Sequence, residues 1–571
     1  MEASAPASVE RRRWLRAACW GVVAGAAGAV GTHLYWLWTG EFHSQDGPAH
    51  LFAVSAMRRL QLGDDGLLAT VFARNLDPDP NWITYPLLAA WLRANPPRVA
   101  ELLLVSVLVV GLACALYYAV TARGHAVGPV AVAGIPVALG WSLHVGLYNF
   151  TASLALWLVV VGYYARVRER LDVPRLALLA VLLLLTYFSH PMSLLVALFT
   201  VGLLAAAEGI ATWRATGSPR PLALRFGALL AAAAPAATLL VWFLLDPGEV
   251  VPRETPRGVW ESFVGTTLFR WPVAAVSPGD TGWATALAWV TWVVVVVLLG
   301  HRAARRHAHR WDVLLVVPLV MGTCAIVLPD RMAGGTLVQP RLAIYALLAL
   351  LLWIGIANAH TELAGWLGAG LGLAAVVVLF GLVSVRVDTY REVHTAVEEV
   401  AGVAGAVMAD HTILGGVSTR APTLVTASPL THITDLVALR SGAVPVATLD
   451  AGSGYGPIHY RERFDPDPAL RGYPRNRKQG RDATPQQFRN VARQYEQVTG
   501  VRIDYIVVVA YDIGPELLEE YDDVGFRLAR RTPGGFVHLF QATSRVMPLT
   551  DAMERHTSPA AEHPPRDGGA T

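Results

Sequence analysis

The chain has 571 residues, 54% of them hydrophobic and only 16% charged, with a mean hydropathy of +0.42. That balance excludes an ordinary soluble protein of this length and reads as a polytopic membrane protein. A net charge of +3 says little about partners, and nucleic acid is not expected among them.

Apolar stretches long enough to span occur near 14–38, 99–121, 128–146, 148–165, 175–189, 191–210, 223–245, 283–300, 312–328, 341–358 and 363–385. They predict an α-helical membrane protein of about 11 transmembrane helices. The two stretches around His190 also allow a different division. Arg11–Arg13 and Arg16 precede an apolar run too long for a cleavable signal peptide, so a retained signal-anchor is expected after a cytoplasmic N-terminus, 1–13. Cys19, Cys114 and Cys324 all lie in apolar runs, where an inert buried thiol is the default.

Orientation follows the arginines. Arg123, then Arg166, Arg168, Arg170 and Arg175, then Arg214, Arg220 and Arg225, then His301–Arg310 fall in alternate loops. The short connections between them, around 144–149 and 189–192, hold neither Arg nor Lys. The arginine side is therefore expected to be the cytoplasmic side of the membrane, and residues from 387 onward to be extracytoplasmic. A transmembrane region 14–386 then carries a large first outer loop, 39–98. An α/β domain of short strand-like runs follows at 387–545, and 546–571 reads as a disordered tail. The strand-like runs are His411–Val417, Val444–Leu449, Asp504–Ala510, Phe526–Arg530 and Phe536–Phe540, with a helix at Pro485–Val498.

Unusual polar residues gather on the outer side, where polar groups at membrane depth are costly and tend to serve a purpose. The first is the stretch Glu41-Phe-His-Ser-Gln-Asp-Gly-Pro-Ala-His50. Pro48 suits a first helical turn, and Asp46 before it is either an N-cap or a general base or substrate ligand. His43, Asp46 and His50 share a face if one helix runs through all three. His50 and His43 are candidates to orient Asp46 or, with it, to hold a divalent metal, for which the three are a weak signal, and a surface or packed histidine is the alternative. Glu41, Asp77 and Asp79 are candidates for a second acid, although Asp-Pro pairs also make turns. Asn81 and Trp82 suit sugar binding, with interfacial anchoring as the alternative for Trp82. His144, Tyr148, Asn149 and His190 are candidates to line the same cavity, or to form helix-end hydrogen bonds. Arg331 and Arg341 suit either a departing phosphate or a lipid headgroup.

The arrangement resembles the GT-C glycosyltransferases over roughly residues 10–390. The shared features are an inside N-terminus, one span, a large first loop with an acid soon after it, about eleven spans, and an outer C-terminal domain. Protein O-mannosyltransferases and the bacterial aminoarabinose and arabinofuranosyl transferases belong to that superfamily. The first-loop acid, here Asp46, is the one residue that matches. The chain is also similar to uncharacterised bacterial polytopic membrane proteins with Asp-Gly-Pro-x-His, Asn-Trp, Tyr-Asn-Phe and Ser-His-Pro stretches. These are Asp46–His50, Asn81-Trp82, Tyr148–Phe150 and Ser189–Pro191 here. The resemblance implies transfer of a sugar from a polyprenyl-phosphate donor to an extracytoplasmic acceptor, with Asp46 as base and membrane lipids as surroundings. Many members carry adjacent paired acids, whereas Asp46 stands alone, so the resemblance fixes neither donor type nor metal requirement. Two other classes remain open: a transporter or flippase of a lipid-linked or polar solute, and a non-catalytic cell-envelope assembly protein. A transporter would show deep mid-span polar residues and an internal repeat.

Overall fold

The computed structural model describes residues 5–125, 127–245, 258–305, 309–331, 336–418, 420–452, 456–466 and 483–543. The expected tail 546–571, most of the Pro- and Arg-rich segment 464–484, and the centre of Gly452–Gly456 lie outside the described residues.

Among the described residues, ten helical segments are long and apolar enough to cross a membrane, and Val173–Ser189 is a shorter apolar helix beside them. These eleven coincide with the eleven apolar stretches, so the chain is a multi-pass helical membrane protein. The helices named below are α1 (Ala5–Trp36), α2 (Gly47–Gln61), α3 (Thr84–Trp91), α4 (Pro97–Val120), α5 (Tyr148–Val167), α6 (Val173–Ser189) and α7 (Pro191–Thr216). They continue with α8 (Asp280–Ala304), α9 (Val338–Leu352) and α10 (Glu362–Gly402).

The segment Gly128–Val145 is not one smooth helix. Pro129, Pro136 and Gly140 divide it into a 3₁₀ stretch, Gly128–Gly134, and two short helices, Ile135–Ala138 and Trp141–Val145. It is wholly enclosed by protein, whereas Arg220–Leu245 is 28% buried. Irregular backbone at membrane depth is tolerated only where other protein surrounds it. His190 separates α6 from α7 by adopting an extended conformation, φ −167° and ψ 130°, so the two apolar stretches are distinct helices.

One ion pair ties the irregular segment to two helices. Asp280 and Arg386 meet at 2.9 Å with neither side chain exposed. Arg386 also donates to the carbonyls of Leu139 at 2.7 Å and Val273 at 3.1 Å. Asp280 accepts from the amides of Ala275 and Val276 at 2.9 Å. Every charge is matched, which is the condition under which a buried pair persists.

Helix α10 runs 41 residues, about 60 Å at 1.5 Å per residue, and so carries the chain beyond the bilayer into the C-terminal domain. There a five-stranded sheet has the order β3 (Val444–Pro445), β2 (Thr412–Val417), β5 (Tyr505–Val509), β7 (Val537–Ala542), β6 (Phe526–Arg531). β2 runs parallel to β3 and β5, while β7 is antiparallel to both its neighbours. The five strand-like runs of the sequence all fall in this sheet, and the expected helix appears as α12 (Pro485–Thr499).

Two nine-residue helices of the C-terminal domain have no signal in the sequence, α11 (Ile433–Ser441) and α13 (Pro515–Asp523). In α11 the buried residues Ile433, Thr434, Asp435, Val437 and Ala438 surround the axis, so no one-sided apolar stripe marks it. A second, two-stranded sheet joins distant parts of the chain. β1 (Phe72–Arg74) of the first long loop pairs antiparallel with β4 (Ile458–Tyr460), placing Phe72 opposite Tyr460. The C-terminal domain is therefore hydrogen-bonded to the first long loop.

Candidate functional site

The Asp46 stretch is fixed by its backbone before any side chain acts. The amides of Gln45 and Asp46 donate to the carbonyls of His144 and Val145, both at 2.9 Å. Gly146 turns the chain there with φ +90°, and a Cβ on it would lie 3.0 Å from the Asp46 nitrogen. α2 then starts at Gly47. Asp46 occupies the N-cap position but makes no side-chain cap bond. Ser44 does so instead, its Oγ accepting from the Gly47 amide at 3.0 Å. Ser44 also donates to Glu101 Oε1 at 2.9 Å, and the Tyr148 hydroxyl donates to the same oxygen at 2.5 Å. Capping thus leaves Asp46 free for other work, and Tyr148 anchors the helix start to α4 and α5.

Asp46 is 6% exposed. Its Oδ1 accepts from Gln45 Nε2 at 3.0 Å and faces His432 Nε2 at 3.4 Å. Its Oδ2 has no hydrogen-bond partner among the described residues, yet it is not sealed within the protein. One oxygen is held while the other stays available. Behind His432 lies Asp435, wholly buried, with Oδ2 3.4 Å from His432 Nδ1.

One turn along α2, His50 directs Nδ1 to Asp450 Oδ2 at 2.9 Å and Nε2 to the Gly146 carbonyl at 3.0 Å. Both ring nitrogens face acceptors, so the ring carries two protons. Burial alone would lower its pKa, but Asp450 and Asp46 outweigh that and raise it to about 9. Tyr85 donates to Asp450 Oδ2 at 3.1 Å, and burial with the nearby Asp450 carboxylate keeps its hydroxyl protonated. Asp46 and His50 each meet the C-terminal domain, Asp46 through His432 and Asp435, and His50 through Asp450.

A second group lies where α7 and α9 begin. Arg341 Nη1 is 2.9 Å from His190 Nε2, and its guanidinium stands over the Phe150 ring at 5.2 Å. His190 Nδ1 also faces the Met192 amide at 3.2 Å. A neutral imidazole has one acceptor nitrogen, so it satisfies only one of these donors. Arg341 Nε is buried without a partner, and no carboxylate among the described residues lies within 4 Å of this guanidinium. The nearest acidic influences on Arg341 are Asp330 and, more weakly, Asp46.

The remaining expected residues take varied places. Asn149 Oδ1 accepts from the Thr84 amide and hydroxyl, both at 2.9 Å, which fixes α3 against α5. Asn81 adopts φ +67°. Trp82 packs edge-on against Tyr85, and its indole N–H is buried without a partner. His144 is fully buried, with Nδ1 2.8 Å from the Gly140 carbonyl and Nε2 2.7 Å from the Tyr390 hydroxyl. Both nitrogens are engaged in hydrogen bonds inside the protein. Arg331 is half-buried at the end of the described segment 309–331.

His43 departs from the expected three-residue face. It pairs with His394 at 3.0 Å and stacks on its ring. Helix α2 begins only at Gly47, so the extended chain before it turns His43 another way. His43, Asp46 and His50 bind three different partners, and no group of three or more metal-binding side chains with metal-holding geometry occurs among the described residues. The Asn75 side chain links Asp77 and Asp79, accepting from the Asp77 amide at 2.9 Å and donating to Asp79 Oδ2 at 3.1 Å, which is the turn reading. A cavity of about 280 Å³ opens on the other side of α2, lined by Ser44, Pro48, Leu51, Arg98, Glu101 and Arg440 among others. Asp46 and His50 are not part of its lining, to which the C-terminal domain contributes Leu436, Leu439 and Arg440.

No protein-family model matches the chain, and no curated protein matches it. Among solved structures it is similar to the arabinofuranosyltransferase AftD from Mycobacteria, at 15% identity and a TM-score of 0.42. That likeness covers 94% of this chain and spans 40% of the AftD chain. It is also similar to apo ArnT from Cupriavidus metallidurans, at 13% identity and a TM-score of 0.44, covering 92% of this chain and 98% of that one.

Proposed function

We propose that the chain is an integral membrane glycosyltransferase. It moves a sugar from a polyprenyl-phosphate donor to an extracytoplasmic acceptor, with Asp46 as general base. The observation that carries this reading is the state of Asp46: Oδ1 is held by Gln45 and faced by His432, while Oδ2 has no partner among the described residues. A carboxylate fixed by one oxygen and open at the other is suited to taking a proton from a hydroxyl. Arg341 complements it. A guanidinium with no carboxylate in ion-pair contact among the described residues, whose more distant acidic influences are Asp330 and then Asp46, is suited to the negative charge that grows on a departing phosphate.

In this reading the acceptor oxygen attacks the anomeric carbon as its proton passes to Asp46 Oδ2. The bond from that carbon to the phosphate oxygen breaks, and its electron pair leaves with the phosphate beside Arg341. His43, Asp46 and His50 do not assemble as a metal-ligand set, so no step is routed through a metal. The cytoplasmic placement of the arginine-rich loops and the extracytoplasmic placement of Asp46 follow from the positive-inside rule.

The test is transfer of label from radiolabelled polyprenyl-phosphate sugars by purified protein in lipid bilayers. Wild-type protein is expected to transfer label, and Arg341→Gln to lose about 10²-fold in kcat, the scale for removing one charge-stabilising donor. Wild-type protein that transfers none of the hexosyl and pentosyl donors overturns the reading.

A further inference from the structure

The C-terminal domain reaches Asp46 by two routes. One is His432, at the start of α11, with Nε2 3.4 Å from Asp46 Oδ1 and Nδ1 3.4 Å from Asp435 Oδ2. The other is Gln45, whose Nε2 donates to Asp46 Oδ1 at 3.0 Å while its Oε1 accepts from the Ser428 amide at 3.0 Å. Both converge on the same oxygen of Asp46 and leave Oδ2 alone.

His432 is 14% exposed and Asp435 not at all. Neither oxygen of Asp435 has a hydrogen-bond partner of good geometry; burial pushes its pKa up, and the His432 ring, with the Thr448 hydroxyl behind it in effect, is the main group drawing it down. A buried carboxylate without a cation is strongly disfavoured. An imidazole with a carboxylate at each nitrogen offers both of them a proton only when it is the cation.

Resting on the reading of Asp46 as base, we propose that His432 is a positioning residue supplied by the C-terminal domain. It holds Asp46 by Oδ1 so that Oδ2 faces the acceptor hydroxyl, and Asp435 behind it fixes the ring. The proton released by the acceptor goes to Asp46 Oδ2 and then to water, and His432 keeps both of its protons throughout. The first-loop acid is thus set for work only while the C-terminal domain is docked.

The charges facing His432 are Asp46 from the first loop and Asp435 from its own helix. Asp450 acts on Asp435 from further away. Burial alone would lower the His432 pKa, but the Asp435 and Asp46 carboxylates outweigh it and raise it to about 10.

The deciding experiment is solid-state ¹⁵N NMR of histidine-labelled full-length protein in bilayers, with His432→Gln identifying the signal. His432 is expected to be an imidazolium at pH 8. Asp46→Asn and Asp435→Asn should each lower its titration midpoint by about one unit or more, the effect of losing one adjacent opposite charge. A neutral His432 at pH 8, or a midpoint unmoved by both substitutions, overturns the proposal whether or not sugar transfer occurs. In the transfer assay, Asp435→Asn should bring the alkaline fall of kcat to lower pH with KM unchanged. An alkaline limb that does not move also contradicts the clamp. Wild-type protein inactive with every donor counts against the glycosyltransferase reading instead, and the NMR result decides the clamp by itself.

Discussion

Gly47 shows how tightly the Asp46 stretch is built. A Cβ there would overlap Glu101 Oε1 and Ser44 Oγ, the two atoms that fix the start of α2. Gly47→Ala is therefore expected to cost about 1–3 kcal/mol or more, as overpacking does, read as a lowered unfolding temperature in detergent. An unchanged unfolding temperature would mean that Ser44 and Glu101 are not holding the helix start. The sequence made Asp46, Gly47, Pro48 and His50 visible because acid, glycine, proline and imidazole stand together beside an apolar span. It did not reveal His432, Asp435 or Asp450, which lie about 400 positions away. Thr431-His-Ile-Thr-Asp435 held the one local clue, an imidazole and an acid three residues apart at the start of an otherwise apolar run. That spacing becomes meaningful only when the partner across the domain boundary is known. His43 was misplaced for a related reason, since helical spacing relates residues only where the helix has already begun.

At the scale of elements, the apolar stretches were readable because each must satisfy the same requirement of length and hydropathy. Position within the bundle was not, because enclosure by other helices leaves no periodic mark. Gly128–Val145, the most enclosed segment, is also the most irregular, and its packing is secured by Arg386 and Asp280. Arg386→Met would leave the Asp280 charge without its cation. It is expected to destabilise the protein by about 3–5 kcal/mol, the range for breaking a buried pair. Yield and unfolding temperature in detergent measure this, and a variant as stable as wild type would show that the pair is dispensable. The short pairing of β1 with β4 lies at the other limit. Three-residue strands so far apart in sequence carry no local signal.

At the scale of the molecule, the membrane region and C-terminal domain meet through two imidazoles, His50 against Asp450 and His432 against Asp46 and Asp435. Both have folded pKa values raised above the ordinary 6.5, to about 9 and about 10. A raised folded value means that protons bind more tightly in the folded state. The stabilisation is full below pH about 6.5 and is lost as pH rises through 9 to 10. Unfolding temperature, or protease resistance of the C-terminal domain, is therefore expected to fall between pH 7 and pH 10, and to fall less in Asp450→Asn. A flat profile over that interval would contradict the charged seam.

The most direct measurement of the whole account is the rate of sugar transfer in bilayers by Asp46→Asn beside wild type, with saturating radiolabelled polyprenyl-phosphate donor. Asparagine keeps the shape and one acceptor oxygen but cannot take the proton. A fall in kcat of about 10²–10⁴-fold is expected, the contribution of a general base, with donor KM and unfolding temperature little changed. Transfer by Asp46→Asn at the wild-type rate would contradict it.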